Sequence, residues 1–368
     1  MDISTIFSSV PDHRVVGRCT YPLSDLLTIA LLSYMCGGVD YVDMSEFAQF
    51  RAKALGLLQG CDTTPSPDTF ERLMRAVNPD EIERCLIESG KAFLDTLVEK
   101  QVVIDGKKLN GTNPTSRGTK GDYLMNAFVG ENRLTISQSI VKDKENEIKA
   151  IPEILDKIEL GGAVVSIDAI GTQTEIVKQI LSKNGHYFLA LKENQKALYE
   201  SVLEAFKYNS PIDTSVEMEA DHGRVEERKC SILPADKIEY AEVRDRWEGL
   251  STLVRIESTV YNKTNGTDTV TTRYYISDEM FPKAAYYNML ARGHWAIENQ
   301  LHWLLDVAFH EDDCRARKGN APQNLSLIRK MALQCVKEQK DKCSIKKRLF
   351  RAALSNDYLL TLVKNMKF

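Results

Sequence analysis

Membrane-length apolar runs, paired cysteines and an excess of one charge are what this chain of 368 residues lacks. The most apolar stretch, LSDLLTIALLSYMCGGV, is short, carries Asp25 and ends on two glycines, which predicts a buried helix rather than a membrane span. Eight cysteines, at 19, 36, 61, 85, 230, 314, 335 and 343, include no C-x-x-C pair. With no basic leader and apolar core at the N-terminus, that pattern points to reduced cytosolic thiols instead of disulfides or a zinc knuckle. Internal repeats, low-complexity runs and flexible linkers are missing too. What remains, 43% hydrophobic and 27% charged residues, is the make-up of an ordinary globular protein long enough for two domains.

A net charge of −4 advertises no nucleic-acid partner, but its distribution does. From Arg315 to Phe368 there are fourteen Lys and Arg against three acids, a surplus of +11 that leaves −15 to the rest. A basic C-terminal segment on an acidic body suits a polyanion, with a solvated charged surface as the alternative.

Residues 1–95 read as an N-terminal all-helical domain. PLSDLLTIALLSYMCGG has a cap near Ser24 and a glycine stop, and NPDEIERCLIESGKAFLDTLVEK has Asn78 as cap with Pro79 in the first turn. Short helices with tight turns permit a DNA-reading helix-turn-helix, although no basic recognition helix stands out. From 96 to 368 the pattern changes. QVVIDGKKL, DYLMNAFVG and LTISQSIVK alternate as strands; NEIKAIPEILDKI is helical; VVSIDA, a helix and HYFLALK follow. This β-β-β-α-β-α-β order predicts an α/β fold, a mixed sheet with flanking helices. A β-strand insertion interrupts it at about 212–278, with RVEERKCSILP, STLVRIESTVYN and TVTTRYYIS as antiparallel strands, before a last helix and a basic helical C-terminus.

Three acids draw attention. Asp105 and Asp168 each end an apolar run, VVIDG and VSIDA. The first and fourth strands can lie parallel and adjacent, about 4.8 Å apart, so both carboxylates would project from one sheet edge. Acids that close repel and raise each other's pKa unless a cation sits between them. Taken singly, either Asp also fits ordinary turn chemistry before Gly. Glu298 is odd in RGHWAIENQLHWLLD, which reads as one helix whose apolar bulk comes from Trp295, Ile297, Leu301, Leu304 and Leu305. As a third ligand it would face a metal while those neighbours anchor the helix. Carboxylates with open oxygen positions suit Mg2+ or Mn2+ rather than zinc. Two such ions about 4 Å apart could activate an attacking hydroxyl and stabilise the departing oxygen.

Together VVIDGK, VSIDAIGTQ and RGHWAIENQLHWLLDVAFHED resemble the DDE transposases of bacterial insertion sequences, most closely the H-repeat-associated group. YPLSDLLTIALLSYMCGG and PSPDTFERLMRAVNPDEIE resemble that group's leading helical domain, so the likeness covers nearly the whole chain. It implies an RNase H-like core, an acidic triad of Asp105, Asp168 and Glu298, and metal-dependent cutting and joining of element ends on double-stranded DNA. It also implies a homodimer on DNA and a cytoplasmic, nucleoid-associated enzyme. One feature departs from relatives that carry a β insertion and a Tyr-Arg-Glu-Lys signature. Here Arg292 lies six residues before Glu298 instead of four, and Leu305 holds the expected Lys position.

Outside the triad, Lys192 at the end of LALK is the leading candidate for a phosphate contact. Arg224 and Arg228 in the insertion and Arg292, His294 and His302 on the long helix complete the expected DNA-contacting set, with hydrogen bonding near the active site as the other reading of the two histidines. Lys107 and Lys108 are read as surface lysines or phosphate contacts, and Trp295 and Trp303 as core, with stacking on an unpaired base as the alternative. A zinc site on the helix is disfavoured, because there is no H-E-x-x-H sequence. Two other readings stay open: a DNA-binding derivative that has lost activity or been recruited elsewhere, and a metal-dependent nuclease without strand transfer.

Overall fold

Helix α1 (Leu23–Met35) is apolar nearly all round, as a helix surrounded by protein must be. In the computed structural model, which describes residues 3–91, 96–113, 121–141, 147–221, 224–262 and 267–364, it is buried on every side. Asp25 fits there because its carboxylate accepts the Leu58 backbone N–H at 2.7 Å. Among the described residues no helix is long and apolar enough to cross a membrane. A reciprocal Asp40–Asp43 capping box starts α2 (Tyr41–Phe47), and proline in the first turn starts α3 (Pro67–Ala76) and α4 (Pro79–Lys91).

The α/β part follows the chain order β1 (Gln101–Lys108), β2 (Tyr123–Val129), β3 (Leu134–Val141), α5 (Glu147–Asp156), β4 (Val164–Ile167), α6 (Thr174–Ser182), β5 (His186–Leu191) and α7 (Lys196–Tyr208). Then come β6 (Asp213–Asp221), β7 (Arg224–Pro234), the single turn α8 (Ala241–Arg244), β8 (Thr252–Asn262) and β9 (Thr267–Ser277). These strands form one nine-stranded sheet in the order β3-β2-β1-β4-β5-β9-β8-β7-β6. β4 runs parallel to β1 and to β5, and every other neighbouring pair is antiparallel. This is the expected RNase H-like mixed sheet with flanking helices.

Two details differ from the sequence reading. The insertion has a fourth strand, β6, and its strands continue the main sheet through the β5–β9 ladder, a connection the sequence reading left open. Helix α7 had not been anticipated either.

Period-two alternation sorts the strand residues between two faces. Val102, Ile104, Val165, Ile167 and Leu189 pack with α5, α6 and α7. Toward the other face Val103 and Phe128 join the N-terminal helices, α10 (Trp303–Phe309), α11 (Ala321–Lys337), α12 (Ile345–Leu354) and α13 (Asn356–Lys364) in one core. On that face too, Val164, Phe188, Ile232 and Tyr275 meet α9 (Ala284–His294). Buried Glu83 of α4 ties the helical layer to β3: it accepts from Ser137 Oγ at 2.8 Å, the Gln138 N–H at 2.7 Å and Lys157 Nζ at 2.6 Å.

Candidate active site

The last parallel pair between β1 and β4 is Ile104 with Ile167. Asp105 and Asp168 are therefore the next residue on each of two adjacent strands, where the strands part. β1 does not end at Asp105, as the Asp-Gly pair suggested. It runs on to Lys108, with Asp105 opposite Asn126 of β2. After Ile167, at the end of β4, the backbone leaves the sheet in a tight turn, and Asp168 Oδ1 accepts the Ile170 N–H at 3.2 Å. Asp105 shares its face with Val103 and Lys107, the face covered by α10.

Glu298 arrives from above. The segment read as one helix breaks at Trp295 and then widens into a π turn, Glu298–His302, in which the Trp303 N–H reaches back five residues to the Glu298 carbonyl. Such turns bulge a helix locally and recur at functional sites. The Gln300 carbonyl inside this turn accepts Lys337 Nζ from α11. His302 Nδ1 lies 3.0 Å from Glu298 Oε2 and 3.8 Å from Asp105 Oδ2. One ligating atom each from Asp105, Glu298 and His302 lie within 4.8 Å of one another. Two carboxylates and an imidazole that close are a donor set a divalent cation can use, so the residues present fit a metal.

The electrostatics match a cluster waiting for positive charge. Burial pushes the Asp105 carboxyl up to about 6, with Asp168 and Glu298 adding to the rise and His302 opposing it. The His302 hydrogen bond holds Glu298 below the usual carboxylate range. Desolvation lowers His294 to about 4, against the pull of Asp168. His294 Nδ1 lies 3.1 Å from Ser166 Oγ, which also receives Gln101 Nε2 at 2.9 Å.

The other expected contacts sit in varied settings. Lys192 is exposed just past β5, at the sheet edge of Asp168. Arg228 lies between Glu226 at 3.0 Å and Glu217 at 3.8 Å. Arg292 pairs with Glu219 of β6. Arg224 opens β7, and its side chain is outside the described residues. His302 is only 3% exposed and turns to the acids rather than to solvent. Trp295 and Trp303, expected in the core, are 49% and 57% exposed, and Arg273 stacks 4.9 Å from the Trp295 ring centroid.

Sequence reasoning missed what lies directly beneath the acids. Lys107, two residues beyond Asp105, is buried and bonds Asp306 and Glu311, the latter at 2.9 Å. Glu311 is buried and also accepts from Ser326 Oγ at 2.7 Å. The available signal was a pair of spacings: 105 and 107 share a strand face, and 298, 302 and 306 climb one helix face.

Comparison with known proteins now adds to the geometry. Residues 97–335 match the family model described as Transposase DDE domain, and residues 4–88 match one described as DDE_Tnp_1-associated. The chain belongs to the DDE transposase family, in its H-repeat-associated group. Within that family, it is 31% identical to "Putative transposase YncI" of Escherichia coli O157:H7, over 96% of this chain and 92% of that protein. It is 29% identical to "H repeat-associated putative transposase YhhI" of Escherichia coli strain K12, over 97% and 96%. Among solved structures, a piggyBac transposase synaptic complex with hairpin DNA matches at a TM-score of 0.45 and 12% identity, over 98% of this chain and 79% of that one.

Proposed function

We propose that this DDE transposase cuts and joins the ends of an insertion sequence on double-stranded DNA, with Asp105, Asp168 and Glu298 as the acids that hold the metal. The observation carrying this reading is the meeting of residues from distant parts of the chain: Asp105 and Asp168 each follow the last paired residues of two neighbouring strands, and a π turn brings Glu298 to Asp105. Divalent ions held there, Mg2+ or Mn2+ and two per site, would help deprotonate an attacking water or 3′-hydroxyl and stabilise the leaving oxygen.

The chain's own groups would do the rest. Asp105, largely shielded from solvent, and Asp168, fixed by the Ile170 N–H, would keep their carboxylates oriented before substrate arrives. Lys192, exposed beside Asp168, would meet a backbone phosphate. Residues 1–95 would act as a helical unit docked on the catalytic part, 96–368, and a homodimer would bring two ends together.

The test is an end-cleavage and joining assay on duplexes taken from the DNA flanking the reading frame, with Mg2+ present. Asp168→Asn keeps an acceptor for the Ile170 N–H, so it should fold. It is expected to cut about a thousandfold more slowly, the loss of several kcal/mol of charge stabilisation. Cutting at the wild-type rate by that variant would refute the metal assignment. Cleavage without joining would make the protein a nuclease, and binding without cleavage a DNA-binding derivative.

A further inference from the structure

We infer that His302 is itself a metal ligand, so that one cation position at the site is built from nitrogen as well as oxygen: Asp105, Glu298 and the Nδ1 atom of His302. The inference rests on the metal-dependent reading above and deepens it. Two donors each about 2.1 Å from one ion are about 3.0 Å apart when adjacent and about 4.2 Å apart when opposite. Nδ1 lies 3.0 Å from Glu298 Oε2 and 3.8 Å from Asp105 Oδ2, both within that span.

The ring's surroundings point the same way. His302 is buried, and among the described residues its Nε2 has no hydrogen-bond partner, while its Nδ1 faces these two carboxylates. Burying an imidazole with one nitrogen unpaired is costly, and the cost is met at the acids. The π turn contributes by widening the helix where Glu298 and His302, four residues apart, must point at one place. The arrangement is unlike an H-E-x-x-H helix: one histidine stands with the glutamate a turn before it and an aspartate from the sheet.

A nitrogen donor changes which ion the site prefers. Imidazole suits transition ions, whereas an all-oxygen site suits Mg2+. The site should therefore favour Mn2+ over Mg2+ by more than a carboxylate cluster would.

The measurement is electron spin-echo envelope modulation of Mn2+ bound to the full-length protein, in wild type, in His302→Gln and in His294→Gln as a control. Directly coordinated 14N coupling is expected in wild type and in His294→Gln and should vanish in His302→Gln, where Mn2+ binds about tenfold or more weakly. Labelling the unaltered chain with 15N-histidine provides the same readout without relying on any variant's folding, because coordination replaces the 14N pattern with a 15N one. Bound Mn2+ with no histidine nitrogen coupling, or coupling that survives in His302→Gln, would overturn this inference and leave the carboxylate site standing. Mn2+ binding that is unchanged in Asp105→Asn would instead remove the reading on which it rests.

Discussion

Both halves of the helical segment that carries Glu298 are packed by apolar side chains, but only the second is also tied to the sheet by buried charge. Its first half, α9, lies on the insertion strands through an apolar and aromatic contact: Phe188 stacks on Tyr275 at 4.6 Å, and Tyr287 lies against Phe188 at 6.3 Å. One surface pair, Arg292–Glu219, marks its edge. Its second half, α10, is fixed to β1 by buried charge, Lys107 among Asp306, Glu311 and Ser326. Glu298 sits at the junction. Apolar contact sets how close the segment lies to the sheet. The ion network, being directional, sets where along β1 it stops, one helical turn beyond His302.

That contrast can be broken from the buried side first. Lys107→Met takes from Glu311, 2% exposed, the cation that bonds it directly, and from Asp306 its ion-pair partner, a loss expected to cost about 3–5 kcal/mol. Urea unfolding would register it, and adding Glu311→Gln should restore most of the stability while keeping the Ser326 bond. An undiminished midpoint in Lys107→Met would mean the network does not hold α10.

The same network should show in acid. Burial alone would raise Glu311, but Lys107, Lys330 and Arg329 outweigh it and hold the carboxyl at about 2, against 4.5 ordinarily. Because the folded value is depressed, its contribution is complete above about pH 4.5 and drains away as pH falls toward 2. Lys107→Met should flatten that part of the stability–pH curve.

On the α9 side, Tyr287→Phe removes a hydroxyl that donates to the Glu279 carbonyl at 2.7 Å and accepts the Phe281 N–H at 3.0 Å. About 1–3 kcal/mol is expected, read from the same denaturation midpoint. Smallest of all should be Arg292→Ala, since both partners of its ion pair are close to half exposed: below about 1 kcal/mol, and less at high salt. If Arg292→Ala cost as much as Lys107→Met, the division between the two halves would be wrong.

Much of this arrangement was legible in the chain. The strands of the mixed sheet announce themselves by alternation and β-branched runs, and the juxtaposition of Asp105 with Asp168 follows from a register in which Ile104 meets Ile167. Glu298 stood out because it was polar among aromatic and aliphatic neighbours. Strand β6 went unread although Val216, Met218 and Ala220 alternate with Glu217, Glu219 and Asp221, because so acidic a stretch is poor in the residues that favour strands. Lys107 reads as a surface lysine or a phosphate contact because lysine seldom lies inside a protein, and only the fold reveals three acids around it. The basic C-terminal segment promised a footprint for a polyanion, yet part of that charge is used internally. Arg329 lies over Tyr34, Lys330 reaches Asn126 and Gln138, and Arg348 bonds Asp341. Composition counts charges without knowing which face inward.

The insertion is stitched to β5 by the β9 ladder, from Phe188 with Ser277 to Leu191 with Tyr274. A flap hinged at that seam would have to shed backbone hydrogen bonds to swing, so the platform beneath Glu298 is closer to a fixed anvil than to a door. Whatever comes to the acids would meet a surface already set before it arrives.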